Sequence, residues 1–429
     1  MYHYDPVRDR RAAARFDRIV VHPVWGSAFL FGVLFVLFQA LFYGASVPMD
    51  AIDGGIANLA AWLHGVLPSG FLNHFVTSGL LPGIAGVLIF LPQIALLFFS
   101  IALLEETGYM ARVVFIMDRF MRPFGLSGKS VVPLVSGTAC AIPAVMSTRN
   151  MESARERWLA IAVTPLMTCS ARLPVYALII GLVVPNTPWL GISLQGLTLF
   201  GLYALGFAAA LVGSALLNRL VPQQKAAHFL MEMPPYRMPI ARNVATAVWT
   251  RSRSFVVEAG KIIVSISIVL WFLANSGPKG LPNFSASYEP MPIEESYLGS
   301  IGRGIQPVLA PLGYDWKISV AIASSFVARE VFVGTMATLY SVDGDEIAPV
   351  RARMADEINP ETGKPYFNLA VGISLLVFYA FALQCMSTLA VVVRETRSWR
   401  FALIQFTAYA AVAYVAAWIA FRLISYLTL

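Results

Sequence analysis

Three cysteines are the only thiols in the chain of 429 residues, and each sits inside an apolar run. Cys140 lies in SGTACAIPA, Cys169 in TPLMTCSARLP and Cys385 in FALQCMSTLA. Each has hydroxyl or thioether neighbours: Ser136 and Thr138; Met167, Thr168 and Ser170; Met386, Ser387 and Thr388. Thiolate and thioether are soft ligands, suited to Cu(I), Zn(II) and iron. Charges stand in the same kind of surroundings. Arg172 follows Cys169 by three residues, and Arg329-Glu330 interrupts a second apolar stretch. A charge at membrane depth is costly, so these groups must face a cavity or each other. A divalent cation would want Glu330 ionised, and Arg172 or Arg329 could neutralise that carboxylate when the site is empty. The candidate metal ligands are therefore Cys140, Cys169, Cys385, Glu330, Met386 and Ser170, with Arg172 and Arg329 as gating or charge-pairing residues. Two plainer readings stand beside this one. A cysteine is a small hydrophobe that packs well in a core, and the charges could form a salt bridge that pins two units together.

Gly128-Lys129-Ser130 looks like the end of a phosphate-binding loop, but the motif needs a glycine five residues before Gly128. That position is Pro123, which has no N–H and cannot take a positive φ. The tripeptide is expected to be a solvated turn before an apolar segment, and no nucleotide site is expected in this chain.

The elements that must position these residues are membrane spans. Hydrophobic residues make up 58% of the chain and charged ones 13%, where a soluble domain carries about 25% charged. The net charge of +7 reports orientation in a membrane and not nucleic-acid binding, because Lys and Arg collect in cytoplasmic loops. Three cysteines and no CxxC pair exclude a disulfide framework. About 20 apolar residues cross a bilayer. Spans are expected at Pro23–Tyr43, Ile84–Leu104, Trp158–Val184, Leu190–Leu217, Ser254–Ala274, Leu369–Val393 and Phe401–Ile424. Val131–Thr148 and Ile318–Val342 are irregular apolar stretches, and each precedes a clean span. Ala45–Gly83 is expected at the outer interface, a plain loop being the alternative.

Basic residues cluster in the N-terminal tail, in Glu105–Ser130, in Arg149–Arg157 and in Asn218–Arg253, and are absent from Ala45–Gly83 and Pro185–Trp189. Both flanks of Val131–Thr148 are thus basic, so this segment should enter from the cytoplasm and return there. Asp343–Asn368 has an acidic excess, while Arg394, Arg397 and Arg400 follow the next span. Ile318–Val342 should then enter from outside and return outside. Two opposed units of broken segment plus span are the signature of secondary transporters. The expected fold is an all-α polytopic membrane protein with two gate-type inverted repeats, about seven full spans and two irregular segments. Its parts would be a cytoplasmic tail (1–22), a first gate half (23–217), a cytoplasmic linker (218–253) and a second gate half (254–429). The alternative is that both irregular segments are ordinary crossings.

Longer motifs carry a resemblance. LLEETGYMARVVFIMDR (103–119), SGTACAIPAVMSTRN (136–150), TPLMTCSARLPVYALI (164–179), MEMPPYRMP (231–239), SFVAREVFVGTMATLY (325–340) and QCMSTLAVVVRETRSW (384–399) resemble the membrane domain of FeoB, the bacterial ferrous iron transporter. The wording around Cys140 and Cys385 is similar to the Bacteroidetes-type branch. The likeness covers the chain from Asp17 onward. It implies Fe(II) uptake across the bacterial inner membrane, with the N-terminus cytoplasmic and a plan similar to concentrative nucleoside transporters. It also implies that the family's pore cysteines fall at Cys140, Cys169 and Cys385. Many members have a glycine-asparagine pattern around the first cysteine and a proline before the last. Here Thr138-Ala139 and Ala141 flank Cys140, and Gln384 precedes Cys385.

Family members also carry a G domain with a P-loop and an N-K-x-D motif, and neither motif occurs in this sequence. The chain is expected not to be an enzyme. The partners implied are the lipid bilayer, a G domain that is either separate or missing, a small FeoA-like protein and a second copy of the chain. A gate-fold carrier for another divalent metal or a nucleoside-like solute is the alternative function, and a non-transporting membrane partner is a third.

Overall fold

The computed structural model describes residues 17–18, 20–22, 25–68, 70–151, 153–185, 187–189, 192–220, 236–278, 291–326, 329, 331–340, 347–358, 365–382 and 385–427. Glu330, Gln384 and most of the N-terminal tail lie outside them. The described chain is almost wholly helical. In order the helices are α1 (Trp25–Val66), α2 (Leu81–Leu88), α3 (Leu91–Glu106), α4 (Tyr109–Met121), α5 (Val131–Ala139), α6 (Ala141–Ser147), α7 (Ala154–Val163) and α8 (Leu173–Val183). They continue as α9 (Leu194–Leu220), α10 (Ala241–Asn275), α11 (Tyr297–Leu309), α12 (Trp316–Ser325), α13 (Val331–Leu339), α14 (Ile347–Ala355), α15 (Leu369–Phe381), α16 (Met386–Thr396) and α17 (Trp399–Leu427). A two-residue antiparallel pair, Pro188–Trp189 with Ile192–Ser193, closes the turn before α9.

Five helical stretches are long and apolar enough to cross a membrane: Phe71–Glu106, Ala154–Val183, Leu194–Leu220, Leu369–Thr396 and Trp399–Leu427. Each overlaps most of one expected span. Of the other two expected spans, Ser254–Ala274 lies within α10, and the described part of Pro23–Tyr43 lies in α1. Helix α1 does not stop at Tyr43 but continues to Val66, through Pro48 and through much of the stretch read as interfacial. It does so although Asp53-Gly54-Gly55 lies within it.

A structural repeat runs through the two halves. Amphipathic α4 ends in a short 3₁₀ turn, Arg122–Phe124, and then Gly125 at φ 77°. Amphipathic α11 ends likewise in Ala310–Leu312 and then Gly313 at φ 79°. Both positions need the left-handed region, which glycine adopts without strain. A β-carbon would also strike Asn218 at the first and Phe421 at the second. A half-helix follows each turn, α5 and α12, and Asp315 caps the second. The first half-helix ends at Cys140, and the second ends at Ser325 before α13 starts at Val331.

Both flanks of each broken segment meet at one end of the molecule. In the first unit, Phe124 O accepts from Ser214 Oγ at 2.9 Å, and Arg155 Nη2 donates to Asn218 O at 3.2 Å. Entry and exit therefore both touch the C-terminal end of α9. In the second unit, Lys317 Nζ meets Glu357 Oε1 at 2.7 Å, and the Tyr340 hydroxyl bonds the other oxygen of the same carboxylate. The Tyr366 hydroxyl donates to Gly313 O at 3.0 Å, just before α15 begins. The α15–α16 span ends at the opposite pole, where Glu395 holds Arg149 and Arg157, the latter at 2.8 Å. The two segments therefore insert from opposite ends. The basic loops bond among themselves at one pole, and the Lys317–Glu357 cluster lies at the other.

Packing locks the units together. The largest buried cluster joins Ile179, Ile318, Phe332, Leu375 and Ala413, from α8, α12, α13, α15 and α17. Lipid tails are as apolar as leucine, so close van der Waals fit and small residues drive helix association in a membrane. Gly372 illustrates this: a β-carbon there would lie 2.2 Å from Val183 Cγ2.

Asp315 caps α12, its Oδ1 accepting from the Ile318 N–H at 2.7 Å. Burial pushes its carboxyl up to about 6, against the lowering effect of that N–H bond. A carboxyl raised in the folded state binds its proton more readily there than in the unfolded chain. Stability from this group is thus present at low pH and declines as pH rises from the ordinary carboxylate value to about 6. Asp315→Asn keeps an acceptor for the cap and removes the titration. The variant is expected to melt no lower than the parent at pH ~7, and the difference between pH ~4.5 and pH ~7 should narrow. An unchanged pH dependence would contradict the assignment.

Candidate ion-binding cavity

Prolines set the breaks of the first unit. A proline has no N–H and its ring clashes with the carbonyl four residues back. Pro143 therefore cannot continue a helix over Ala139, and the chain is extended at Cys140, at φ −156° and ψ 134°. The freed Ala139 carbonyl accepts from Ser170 Oγ at 2.8 Å. Pro165 does the same to Ile161, whose carbonyl accepts from Gln405 Nε2 at 3.0 Å. Gln405 also reaches Ala162 O at 3.0 Å, and the Tyr409 hydroxyl bonds that same oxygen. Without water in the hydrocarbon core, such carbonyls must find protein donors. The chain is then irregular from Thr164 to Arg172, with Cys169 extended at φ −91° and ψ 163°.

The second unit breaks without proline. Helix α15 ends at Phe381, and α16 starts after Cys385. Arg172 is fully buried and fills the gap, its Nη1 donating to Ala380 O at 3.0 Å and its Nη2 to Ala382 O at 3.5 Å. The Met386 N–H donates to Phe326 O at 3.2 Å, which ties this break to the one between α12 and α13. The spans expected to be clean, Trp158–Val184 and Leu369–Val393, are thus both discontinuous. Arg172 binds backbone carbonyls, and no carboxylate among the described residues pairs with it.

All of these breaks open on one cavity of about 90 Å³. Cys140, Cys169 and Cys385 line it together with Ser170, Arg329, Ser387 and Thr388. Helix α3 adds Gln93, Ile94 and Leu97, and α10 adds Phe255 and Ile263. The sequence reading singled out the thiols, Ser170 and Arg329, which the fold brings together. It also proposed Met386, which does not line the cavity and is 38% exposed. Met386 is the first residue of α16 while Cys385 is its cap, and successive helical side chains diverge by about 100° at 3.6 residues per turn. Glu330 lies outside the described residues. Gln93, buried at 5% exposure, was missed. Its signal is a lone amide in the apolar run LPQIALLFF.

Cys385 Sγ lies 3.0 Å from Thr388 Oγ1. Each cysteine stands at the position just before the helix or 3₁₀ turn that follows it, with no side-chain bond to that element's N–H groups. Among the described residues no three of His, Cys, Asp and Glu gather closely enough to hold one ion. The thiols are thus spread around the cavity and do not form a closed chelate.

The Gly128–Ser130 turn is not a phosphate site either. It is a 3₁₀ turn whose Gly128 N–H donates to Asp118 Oδ1 at 3.0 Å. It is buried and not solvated, since Gly128 packs against the backbone of Val114.

Two discontinuous helix pairs of opposite insertion around a shared cavity define a gate-type membrane protein. The model of the family described as "Gate: Nucleoside recognition" matches residues 87–183 and 256–399. That of "Ferrous iron transport protein B C terminus" matches 199–251, between the two gate segments. The chain belongs to the gate family, and the segment between its two gate portions matches the FeoB C-terminal family. A relative from Leptospira interrogans named "Fe(2+) transporter FeoB" is 43% identical over 97% of this chain and 60% of its own length. A Campylobacter jejuni relative of the same name is 34% identical over 96% of this chain and 65% of its own. A Porphyromonas gingivalis relative named "Fe(2+) transport protein A/Fe(2+) transporter FeoB fusion protein" is 34% identical over 95% of this chain and 51% of its own. The chain spans about 60% of the length of the first of these curated relatives. A solved structure described as "Structure of CNTnw in an inward-facing substrate-bound state" aligns with 91% of this chain and 90% of that one. Its TM-score is 0.42 and its identity 15%.

Proposed function

We propose that this chain carries ferrous iron across a bacterial inner membrane, as the permease part of a FeoB-type system. The observation that carries the reading is the convergence of three thiols, from three separate helix breaks, on one cavity between opposed gates. Fe(II) is a borderline cation that accepts thiolate, hydroxyl and carbonyl oxygen. A conducting site must bind well enough to admit an ion and weakly enough to release it. Thiols spread around a cavity, with Ser170, Ser387 and Thr388 between them, suit that requirement better than a closed cage. Relatives that bear the name Fe(2+) transporter support the same cargo. A nucleoside-like solute is disfavoured by size: about 90 Å³ is well below the roughly 300–1,000 Å³ of pockets that bury organic ligands. In this reading Glu330 remains a candidate ligand and Arg329 a charge-pairing group. A G domain and a small FeoA-like protein act on the chain from the cytoplasm, and the fusion relative favours the second of these.

Radiolabelled Fe(II) uptake into proteoliposomes, run in parallel with labelled uridine, tests the cargo. Iron should accumulate well above protein-free vesicles and uridine should not. Saturable uridine uptake without iron uptake would overturn the proposal.

The orientation assigned here places the N-terminus and the Arg149–Arg157 link in the cytoplasm and residues 347–358 outside. Ala154→Cys and Asp356→Cys, compared with the parent chain, should react with an impermeant maleimide from opposite faces of sealed vesicles. Reaction of both from the same face would sink the inverted topology.

A further inference from the structure

The guanidinium of Arg329 is anomalous. It sits in the break between α12 and α13 at 6% exposure and lines the cysteine cavity. Among the described residues it forms no ion pair, and its Nη1 is buried without an acceptor. Among the described residues the other two buried arginines each bond acceptors, although Arg172 Nε is itself buried without one. Arg172 has the carbonyls of Ala380 and Ala382. Arg112 has the Asp17 carboxylate at 3.0 Å. Arg149 and Arg157 share Glu395. A buried charge with no partner is strongly disfavoured, and stable folds pair it or neutralise it. The cavity raises a second difficulty. A fixed cation on its wall repels the dication proposed above as cargo.

One occupant resolves both. The structure assigns to this cavity an anion subsite at Arg329, which takes a small monovalent anion of about the size of chloride. The planar guanidinium presents several donors in a fixed fork, suited to an anion in front of it. Gln93 and Ser387 line the same cavity and can supply neutral donors from α3 and α16. A volume of about 90 Å³ leaves room for a halide beside a metal ion and excludes a bulky organic anion. With the anion in place the wall is neutral, and the thiols can meet a divalent cation without opposition from Arg329. The second half of this inference rests on the ferrous iron reading; the anion subsite itself does not.

The test uses the full chain in detergent with chloride as the probe. Chloride-35 NMR lines should broaden in the presence of protein, and added bromide should reverse the broadening. Arg329→Gln should abolish that reversible part, and Arg329→Lys should retain some of it. Chloride should also raise the melting temperature of the parent protein relative to gluconate at equal ionic strength, a readout that needs no variant. In proteoliposomes, replacing chloride by gluconate on both faces should lower iron uptake severalfold in the parent. Broadening that is unchanged in a folded Arg329→Gln variant, or no chloride-specific stabilisation of the parent, would overturn the subsite; a lining thiolate would then be the partner of Arg329. If no iron enters any vesicle while chloride binding persists and depends on Arg329, the transport reading fails and the subsite stands.

Discussion

Arg172→Ala is expected to destabilise the folded chain by on the order of 3–5 kcal/mol, because it strips two donors from a dry interface. Arg172 is fully buried, and its guanidinium joins the first unit to the second by bonding Ala380 O and Ala382 O. Those carbonyls end α15, where the helix supplies no N–H for them. An unsatisfied buried acceptor costs about 1–3 kcal/mol, and bonds from a charged donor are stronger than neutral ones. The loss of a large side chain adds a cavity beside Tyr176 and Cys169. Arg172→Lys should lie between, because one ammonium group cannot reproduce a planar fork. Thermal unfolding in detergent checks the order: parent highest, lysine next, alanine lowest. An alanine variant that melts within a degree or two of the parent would show that the second break is held by something else.

That role was hidden in the sequence, where an arginine beside a cysteine suggests a counter-charge for a carboxylate. The actual partners are backbone oxygens far along the chain, and nothing at 380–382 marks them. The same reason makes the two units unequally legible. Pro143 and Pro165 announce the breaks of the first unit, because a missing N–H disrupts a helix whatever surrounds it. The breaks at 382–385 and 326–330 contain neither proline nor glycine. Tertiary bonds impose them, from Arg172 and between Met386 N–H and Phe326 O. A sequence reading sees clean apolar runs there.

The opposed insertion, by contrast, was legible from loop charge. Arginines at one pole and an acidic segment at the other survive as the Glu395 and Glu357 clusters. The turns at Pro123-Phe124-Gly125 and Pro311-Leu312-Gly313 carry the internal repeat openly, and spacing alone would have found it. Gln405 was also findable. A glutamine within the apolar run of α17 is costly unless it is bonded, and here it serves the carbonyls that Pro165 frees.

The cysteines are where the central claim can fail. Serine keeps nearly the shape of cysteine but replaces a soft, ionisable ligand by a hard neutral one. The Ser170–Ala139 bond, the Arg172 bonds and the proline breaks do not depend on the thiols, so a triple serine chain should retain its fold. Metal binding to thiols releases protons, so uptake by the parent chain should weaken as pH falls, and the triple variant should lose that part of the dependence. The most direct measurement is initial Fe(II) uptake into proteoliposomes by Cys140→Ser, Cys169→Ser and Cys385→Ser combined in one chain, with folding verified by its melting profile. A severalfold lower rate than the parent is predicted, with at least one single variant accounting for most of the loss. A well-folded triple variant that moves Fe(II) at the parental rate would contradict the account and leave the three thiols as packing residues.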